Sequence, residues 1–131
     1  MCVFCQIIAG DIPSYKVCED EKTLAFLDIN PVSVGHTLVV AKGHYSNLEE
    51  IPFDELTALI SSVQKVGRLL KDKLGINGYN VTENNDPAAG QEIPHIHFHV
   101  IPRFSGDSLD PWPRRGYELE EAERILKKII G

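Results

Sequence analysis

The stretch Pro94-His95-Ile96-His97-Phe98-His99-Val100-Ile101-Pro102 decides the fold of this chain. Histidine alternates with an apolar residue along it, and successive side chains of a β-strand point to opposite faces of a sheet. We therefore predict a strand over residues 95–101, with three imidazoles on one face and apolar side chains on the other. A purely structural strand gains little from three titratable polar groups, so the pattern favours a chemical role.

Hydrophobic periodicity predicts the elements around this strand. Apolar residues recur at helical spacing over residues 54–74, and Gly75 ends the pattern with a residue suited to a helix C-terminus. The sequence indicates an α+β fold, with an antiparallel sheet of about five strands, a long helix and a C-terminal helix, in one domain of residues 1–131. The long helix should cover one face of the sheet. The predicted strands are 15–19, 23–28, 37–41, 78–82 and 95–101, and the predicted helices are a short turn at 3–9, then 54–74 and 118–130.

Composition narrows the class of protein. The net charge is -6 over 131 residues and no run of basic residues exceeds two, which disfavours nucleic acids and anionic membranes as partners. Apolar stretches are too short to span a bilayer, and the start of the chain does not resemble a secretion signal. Three cysteines, two of them in Cys2-x-x-Cys5, do not suit a secreted disulfide framework. We expect a cytoplasmic protein.

The loop before the histidine strand helps to separate two chemistries. Alternating histidines can bind a metal ion, or they can present one nucleophilic imidazole with neighbours that orient it. Residues 84–92 contain glycine, alanine and side-chain amides, so backbone N–H groups there could approach an anion closely. The combination favours anion chemistry at a histidine. The alternative of one ion shared by His95, His97 and His99 remains open at this point.

The chain resembles the histidine triad (HIT) family of nucleotide-binding proteins and hydrolases. The family signature, three histidines alternating with apolar residues and followed by two apolar residues, is met by residues 95–101. Further similar segments lie at residues 4–13, 24–31, 35–40 and 90–91. The resemblance implies the HIT fold and a homodimer whose sheet continues across the interface.

The resemblance also implies a reaction. His97 would attack the α-phosphorus of a nucleoside 5′-phosphate derivative, and water would hydrolyse the nucleotidyl-histidine to a nucleoside monophosphate. A purine nucleoside phosphoramidate or acyl-nucleotide is the expected substrate. The alternatives are a dinucleoside polyphosphate hydrolase and a nucleotide-binding sensor with negligible turnover.

Other site residues follow from the same resemblance. His99 and His36 match the histidines that support the nucleophile, and Asp28 matches the acid that accepts from ribose hydroxyls. The positions matching the purine slot are Phe4, Ile7, Phe26 and Ile29, and those matching phosphate and ribose contacts are Asn84, Gly90 and Gln91.

A second set of residues suits a structural zinc ion. Two thiolates and two imidazoles form a tetrahedral zinc site in many proteins, and some HIT proteins carry zinc on the positions matched here by Cys2, Cys5, His44 and His95. Zinc would then brace the N-terminal segment against the histidine strand. The alternative is that the two cysteines are ordinary reduced thiols.

Two features depart from the pattern of the family. Glu92 stands where many relatives have a serine or threonine that assists the leaving group, and a carboxylate there would repel phosphate. Pro111-Trp112-Pro113 resembles the C-terminal tail of the Hint branch, but a further helix follows it here.

Overall fold

Five strands and three helices follow the predicted order along the chain. The structure is a computed structural model that describes residues 2–109 and 112–131. The elements are α1 (Val3–Ile8), β1 (Lys16–Glu19), β2 (Thr23–Leu27), β3 (Thr37–Ala41), α2 (Phe53–Leu74), β4 (Gly78–Glu83), a 3₁₀ turn (Pro87–Ala89), β5 (His97–Arg103) and α3 (Glu121–Ile130).

All five strands belong to one antiparallel sheet in the order β1-β2-β3-β5-β4. The predicted fold class is thereby confirmed. β5 lies between β3 and β4, so the histidine strand is hydrogen-bonded on both sides and held rigidly. Among the described residues, no helix is long and apolar enough to cross a membrane.

The histidine strand begins two residues later than predicted. The N–H of His95 donates to the carbonyl of Ile93 at 2.8 Å, and that of Ile96 donates to the carbonyl of Tyr45 at 2.7 Å. These bonds join the segment to neighbouring loops, so the ladder with β3 starts only at His97. The predicted strand, residues 95–101, therefore overlaps the observed one but is displaced by two residues at each end.

Each face of the sheet has its own core. α2 covers one face, where Leu59, Val63 and Val66 lie in one cluster with side chains of β2, β3 and β5. The second face is also partly covered, because Phe4 of α1 packs on a cluster of side chains from β2 and β3. The expectation of a sheet covered on one face was incomplete, since α1 is too short to show the helical periodicity that α2 shows.

A glycine in the middle of α2 permits close packing against β4. A Cβ built on Gly67 would lie 2.5 Å from Cζ of Tyr79 and 2.6 Å from its hydroxyl oxygen. Glycine in a helix interior costs roughly 1 kcal/mol of stability relative to alanine. Gly67 is therefore explained by the close contact of α2 with the sheet and not by helix stability.

Gly67→Ala is expected to destabilise the protein by about 1–2 kcal/mol, because overpacking against Tyr79 outweighs the gain in helix propensity. In a Tyr79→Ala background the same substitution should become neutral or stabilising. Urea denaturation of the four proteins in this cycle measures both effects. Equal effects in the two backgrounds would contradict the proposed contact.

Candidate active site

A cavity of about 600 Å³ opens on the side of the sheet that carries His97 and His99. Ten of the residues assigned to catalysis or nucleotide binding from the sequence line it together. They are Phe4, Ile7, Phe26, Asp28, Ile29, His36, Asn84, Gly90, His97 and His99. These ten residues come from α1, β2, β5 and the loops β2–β3 and β4–β5, and they converge on one space.

The tautomer of His97 is set by a main-chain carbonyl. Nδ1 of His97 lies 2.8 Å from the carbonyl oxygen of His95, and a carbonyl oxygen can only accept, so Nδ1 carries the proton. Nε2 of the neutral ring therefore keeps its lone pair. Burial lowers the pKa of His97 below the usual value near 6.5, which favours the neutral, nucleophilic form at pH 7. The edge-on ring of Phe4, with centroids 4.9 Å apart, packs against this imidazole.

His36 and His99 form a hydrogen-bonded pair with a defined direction. The backbone N–H of Val32 donates to Nδ1 of His36 at 3.0 Å, so the proton of neutral His36 sits on Nε2. That nitrogen lies 2.9 Å from Nδ1 of His99 and donates to it. Nε2 of neutral His99 consequently carries a proton and is a donor. Burial is the main cause that lowers the pKa of both rings.

Asp28 lies beside this pair at the end of β2. Its Oδ2 is 3.6 Å from Nε2 of His36, and its Oδ1 accepts the N–H of Asn30 at 2.8 Å. Asp28, His36 and His99 are close enough to suit a metal ion. Coordination by Nε2 of His36 would move its proton to Nδ1, where it would face the N–H of Val32. The hydrogen bonds therefore favour a polar network over a ligand set.

The apolar side of the cavity is formed by α1 and β2. Phe4 and Phe26 are buried and meet edge to face with ring centroids 5.7 Å apart. Ile7 lies on the same wall, and Ile29 is 78% exposed at the rim. A flat ring entering here would bury apolar surface that the protein alone leaves in water.

The loop between β4 and β5 brings two of its three assigned residues to the cavity. Gly90 adopts a φ of 87°, a conformation natural to glycine, and Asn84 lines the cavity beside it. The side chain of Gln91 is used within the protein instead. Its oxygen accepts the N–H of Asp86 at 2.7 Å, and its amide nitrogen donates to the carbonyl of Ser46 at 2.6 Å. The side chain of Gln91 thus stabilises the β4–β5 loop through hydrogen bonds within the protein.

The ligand atoms of Cys2, Cys5, His44 and His95 lie within 4.8 Å of one another, and the ring of Phe4 contacts both His95 of this cluster and His97 of the cavity. Nε2 of His95 donates to the carbonyl of Ala41 at 2.7 Å, which leaves the lone pair on Nδ1. That nitrogen lies 3.6 Å from each sulfur and 3.1 Å from Nδ1 of His44. The donor set and the tautomer of His95 fit a tetrahedral metal ion with a carbonyl in its outer shell.

The three histidines of the sequence motif therefore have separate surroundings. His95 belongs to the cysteine cluster, His97 binds the carbonyl of His95, and His99 pairs with His36. No group of possible metal ligands among residues 2–109 and 112–131 contains all three. The interpretation of one ion shared by the triad has no support in this geometry.

Sequence reasoning missed the backbone groups of the site. The N–H of Val32 and the carbonyls of Ala41 and His95 set the tautomers, but main-chain atoms leave no signature in residue types. Trp112 lines a second cavity of about 610 Å³ that shares His36 and His99 with the first. Pro111, part of the predicted tail motif, lies outside the described residues.

Fold and site together define a small α+β protein in which a neutral imidazole with one unprotonated nitrogen lines a partly apolar cavity. The family of HIT domain proteins matches residues 9–106, and the chain belongs to this family. The predicted membership is confirmed.

Relatives with this fold come from all domains of life. An uncharacterized HIT-like protein of Methanocaldococcus jannaschii is 57% identical over all of both chains. An adenosine 5′-monophosphoramidase of Candida albicans is 37% identical, over 98% of this chain and 88% of that protein. An adenylylsulfatase of Arabidopsis thaliana is 44% identical, over 82% of this chain and 55% of that protein.

Solved structures agree with the fold. A HIT family protein of Bacillus subtilis superposes with a TM-score of 0.87 at 41% identity, covering 98% of this chain and 94% of that one. A zinc-bound histidine triad protein of Mycobacterium smegmatis superposes with a TM-score of 0.80 at 39% identity, covering 97% and 91%.

The buried His36–His99 pair predicts how stability depends on pH. Both pKa values are lowered by burial, so the unfolded chain binds more protons than the folded protein just below the ordinary histidine pKa of about 6.5. The melting temperature should therefore fall as the pH is lowered from 7 towards 5.5. Scanning calorimetry of the wild type and His36→Gln should show a shallower slope for the variant. Constant or rising stability over this interval would contradict the neutral pair.

Proposed function

We propose that this protein hydrolyses a purine nucleoside 5′-phosphoramidate or acyl-nucleotide at the α-phosphorus, through a nucleotidyl intermediate on His97. The single observation that carries the proposal is the hydrogen bond from Nδ1 of His97 to the carbonyl of His95, which leaves Nε2 as a lone pair beside the cavity. The similarity to an adenosine 5′-monophosphoramidase supports the same reaction class.

The reaction requires no deprotonation of the nucleophile. In the first step the Nε2 lone pair of His97 forms a bond to phosphorus, and the bond from phosphorus to the leaving amine breaks as that nitrogen takes a proton from solvent water. The ring becomes cationic, and the carbonyl of His95 stabilises it through the Nδ1 proton. In the second step a water oxygen bonds to phosphorus, the bond to Nε2 breaks and a proton returns to solvent.

The neighbouring groups would orient the phosphate and the nucleoside. The Nε2 proton of His99 is a donor suited to a phosphate oxygen, and its direction is maintained by His36. Asp28 has acceptor oxygens for ribose hydroxyls at the cavity wall. The wall of Phe4 and Phe26 would hold the purine.

We also propose a structural zinc ion held by Cys2, Cys5, His44 and His95. The converging donor atoms and the similarity to a zinc-bound structure support it. When bound, the ion would cross-link α1, the loop after β3 and the residues just before β5, and it would take no part in the reaction. Burial and the neighbouring Cys2 raise the pKa of the Cys5 thiol, and a bound cation would reverse this by stabilising the thiolate.

A homodimer in the cytoplasm completes the proposal. Among the described residues β4 is an edge strand of the sheet, as continuation of the sheet into a second copy would require. The three cysteines are free thiols, which suits a reducing compartment.

His97→Ala should lower turnover of adenosine 5′-phosphoramidate by about 10³-fold or more, because no other group would attack phosphorus. The variant should still bind adenosine monophosphate, as measured by calorimetry, and this binding would show that it is folded. Intact mass after rapid acid quenching should detect a nucleotidyl adduct on the wild type only. Undiminished turnover by the variant would contradict the proposed nucleophile.

Cys5→Ser should lower bound zinc and the melting temperature together, while kcat for the phosphoramidate changes less than about threefold. Zinc is measured by mass spectrometry of the metal after purification without chelators. Cys18→Ser is the matched control, because Cys18 packs against the core on the helix side and lies outside the cluster. A wild type free of zinc and equally stable with and without added zinc would contradict the site.

A further inference from the structure

The lysine, arginine and carboxylate side chains that could line the active-site cavity are represented, among the described residues, by carboxylates alone. Asp28 and Glu92 both line it, and among the described residues the same wall includes no lysine and no arginine. A site for a phosphate ester commonly offers a cationic side chain, since Arg and Lys are the usual phosphate partners. Here two carboxylates face the space where the substrate would lie.

The two carboxylates differ in their contacts. Asp28 accepts the N–H of Asn30 and lies next to His36, so its charge is partly compensated inside the protein. Glu92 is exposed in the loop between Gly90 and Ile93, which also line the cavity. Among the described residues, no lysine or arginine forms an ion pair with Glu92.

Some carboxylates elsewhere in the protein are compensated by cations. Glu19 contacts both Lys16 and Lys42, at 2.6 and 2.9 Å. Asp107 binds Arg103 at 2.8 Å and Glu121 binds Arg115 at 3.1 Å. Glu92 therefore contributes an uncompensated negative charge at the opening of the reaction site, where it acts on whatever part of the substrate extends towards solvent.

We propose that Glu92 determines leaving-group specificity by favouring a leaving amine that carries a second, positively charged group and by disfavouring an anionic leaving group. The inference rests on the proposed function, since it concerns the group expelled from the same phosphorus. A diamine or basic amino-acid derivative linked through phosphoramidate nitrogen fits this charge. A polyphosphate chain, with several negative charges near Glu92, fits it poorly.

Screening by solvent limits how strongly the charge of Glu92 can change the preference for a leaving group. Because Glu92 is exposed, water and salt screen its charge, and we expect about a threefold to tenfold preference for a cationic over a neutral leaving group at low ionic strength. The preference should decline as salt is added.

Three adenosine 5′-phosphoramidates of matched length test the proposal, with leaving groups propylamine, 1,2-diaminoethane and glycine. For the wild type, kcat/KM should be highest for the cationic diamine and lowest for the anionic glycine. In Glu92→Gln, which keeps the shape and removes the charge, the three values should converge. Glu49→Gln is the matched control, because it changes the net charge equally at an exposed position outside the cavity wall and should retain the wild-type order.

The outcomes separate the two proposals. Absence of turnover for all three compounds and for the parent phosphoramidate would overturn the proposed function. Turnover with the same order of kcat/KM in the wild type and Glu92→Gln would overturn only the role of Glu92. Convergence in Glu49→Gln as well would assign the preference to overall charge and overturn the local assignment.

Discussion

The hydrogen bond from an imidazole N–H to a main-chain carbonyl is the interaction on which the rest of this site depends. A neutral imidazole has one donor and one acceptor nitrogen, so a carbonyl that engages the donor leaves the other nitrogen with its lone pair. The carbonyl of His95 does this to Nδ1 of His97, and the carbonyl of Ala41 does it to Nε2 of His95. Two neighbouring rings thereby present opposite nitrogens, one to the cavity and one to the cysteine cluster.

The sheet around these histidines holds their hydrogen-bond partners in place. His99 lies in the ladders with both β3 and β4, and His97 lies in the ladder with β3, so the backbone that carries the two rings is fixed by the sheet. Burying an imidazole costs free energy unless its nitrogens have partners, and both nitrogens of His36 have one, Nδ1 with the N–H of Val32 and Nε2 with Nδ1 of His99. Burial in turn lowers the pKa of these rings, so structure and reactivity have the same cause.

Phe4 connects the two halves of the site. Its ring packs against His95, His97 and Phe26, with centroids 5.8, 4.9 and 5.7 Å apart. α1 also carries Cys5, so the segment that forms the apolar wall of the cavity is the one the cysteine cluster would brace. A metal bound there would stabilise the position of α1 without entering the cavity.

Predictions from the sequence were most accurate where composition or periodicity is strong. β3 was predicted at its observed bounds from its β-branched residues, and α2 was predicted with an error of one residue at its start because its core-facing residues repeat every 3.6 positions. α3 begins at Glu121, three residues later than predicted, since no residue of this helix is buried to mark its start. For the site, the limit of sequence reasoning is shown by Gln91. Its place close to the histidine motif is evident from the sequence, but the direction of its side chain depends on hydrogen bonds to Ser46 and Asp86.

By itself the sequence determined the elements, the antiparallel α+β class and which residue types could do chemistry. Those follow from local periodicity and from the alternation of a strand, which act over a few residues. Only the tertiary structure decided which nitrogen of His95 and of His99 carries the proton, because their partners, the carbonyl of Ala41 and the ring of His36, lie 54 and 63 residues away along the chain. It also decided that Glu92 lines the cavity and that, within residues 2–109 and 112–131, it forms no ion pair with a lysine or arginine, since both depend on where those side chains lie in space.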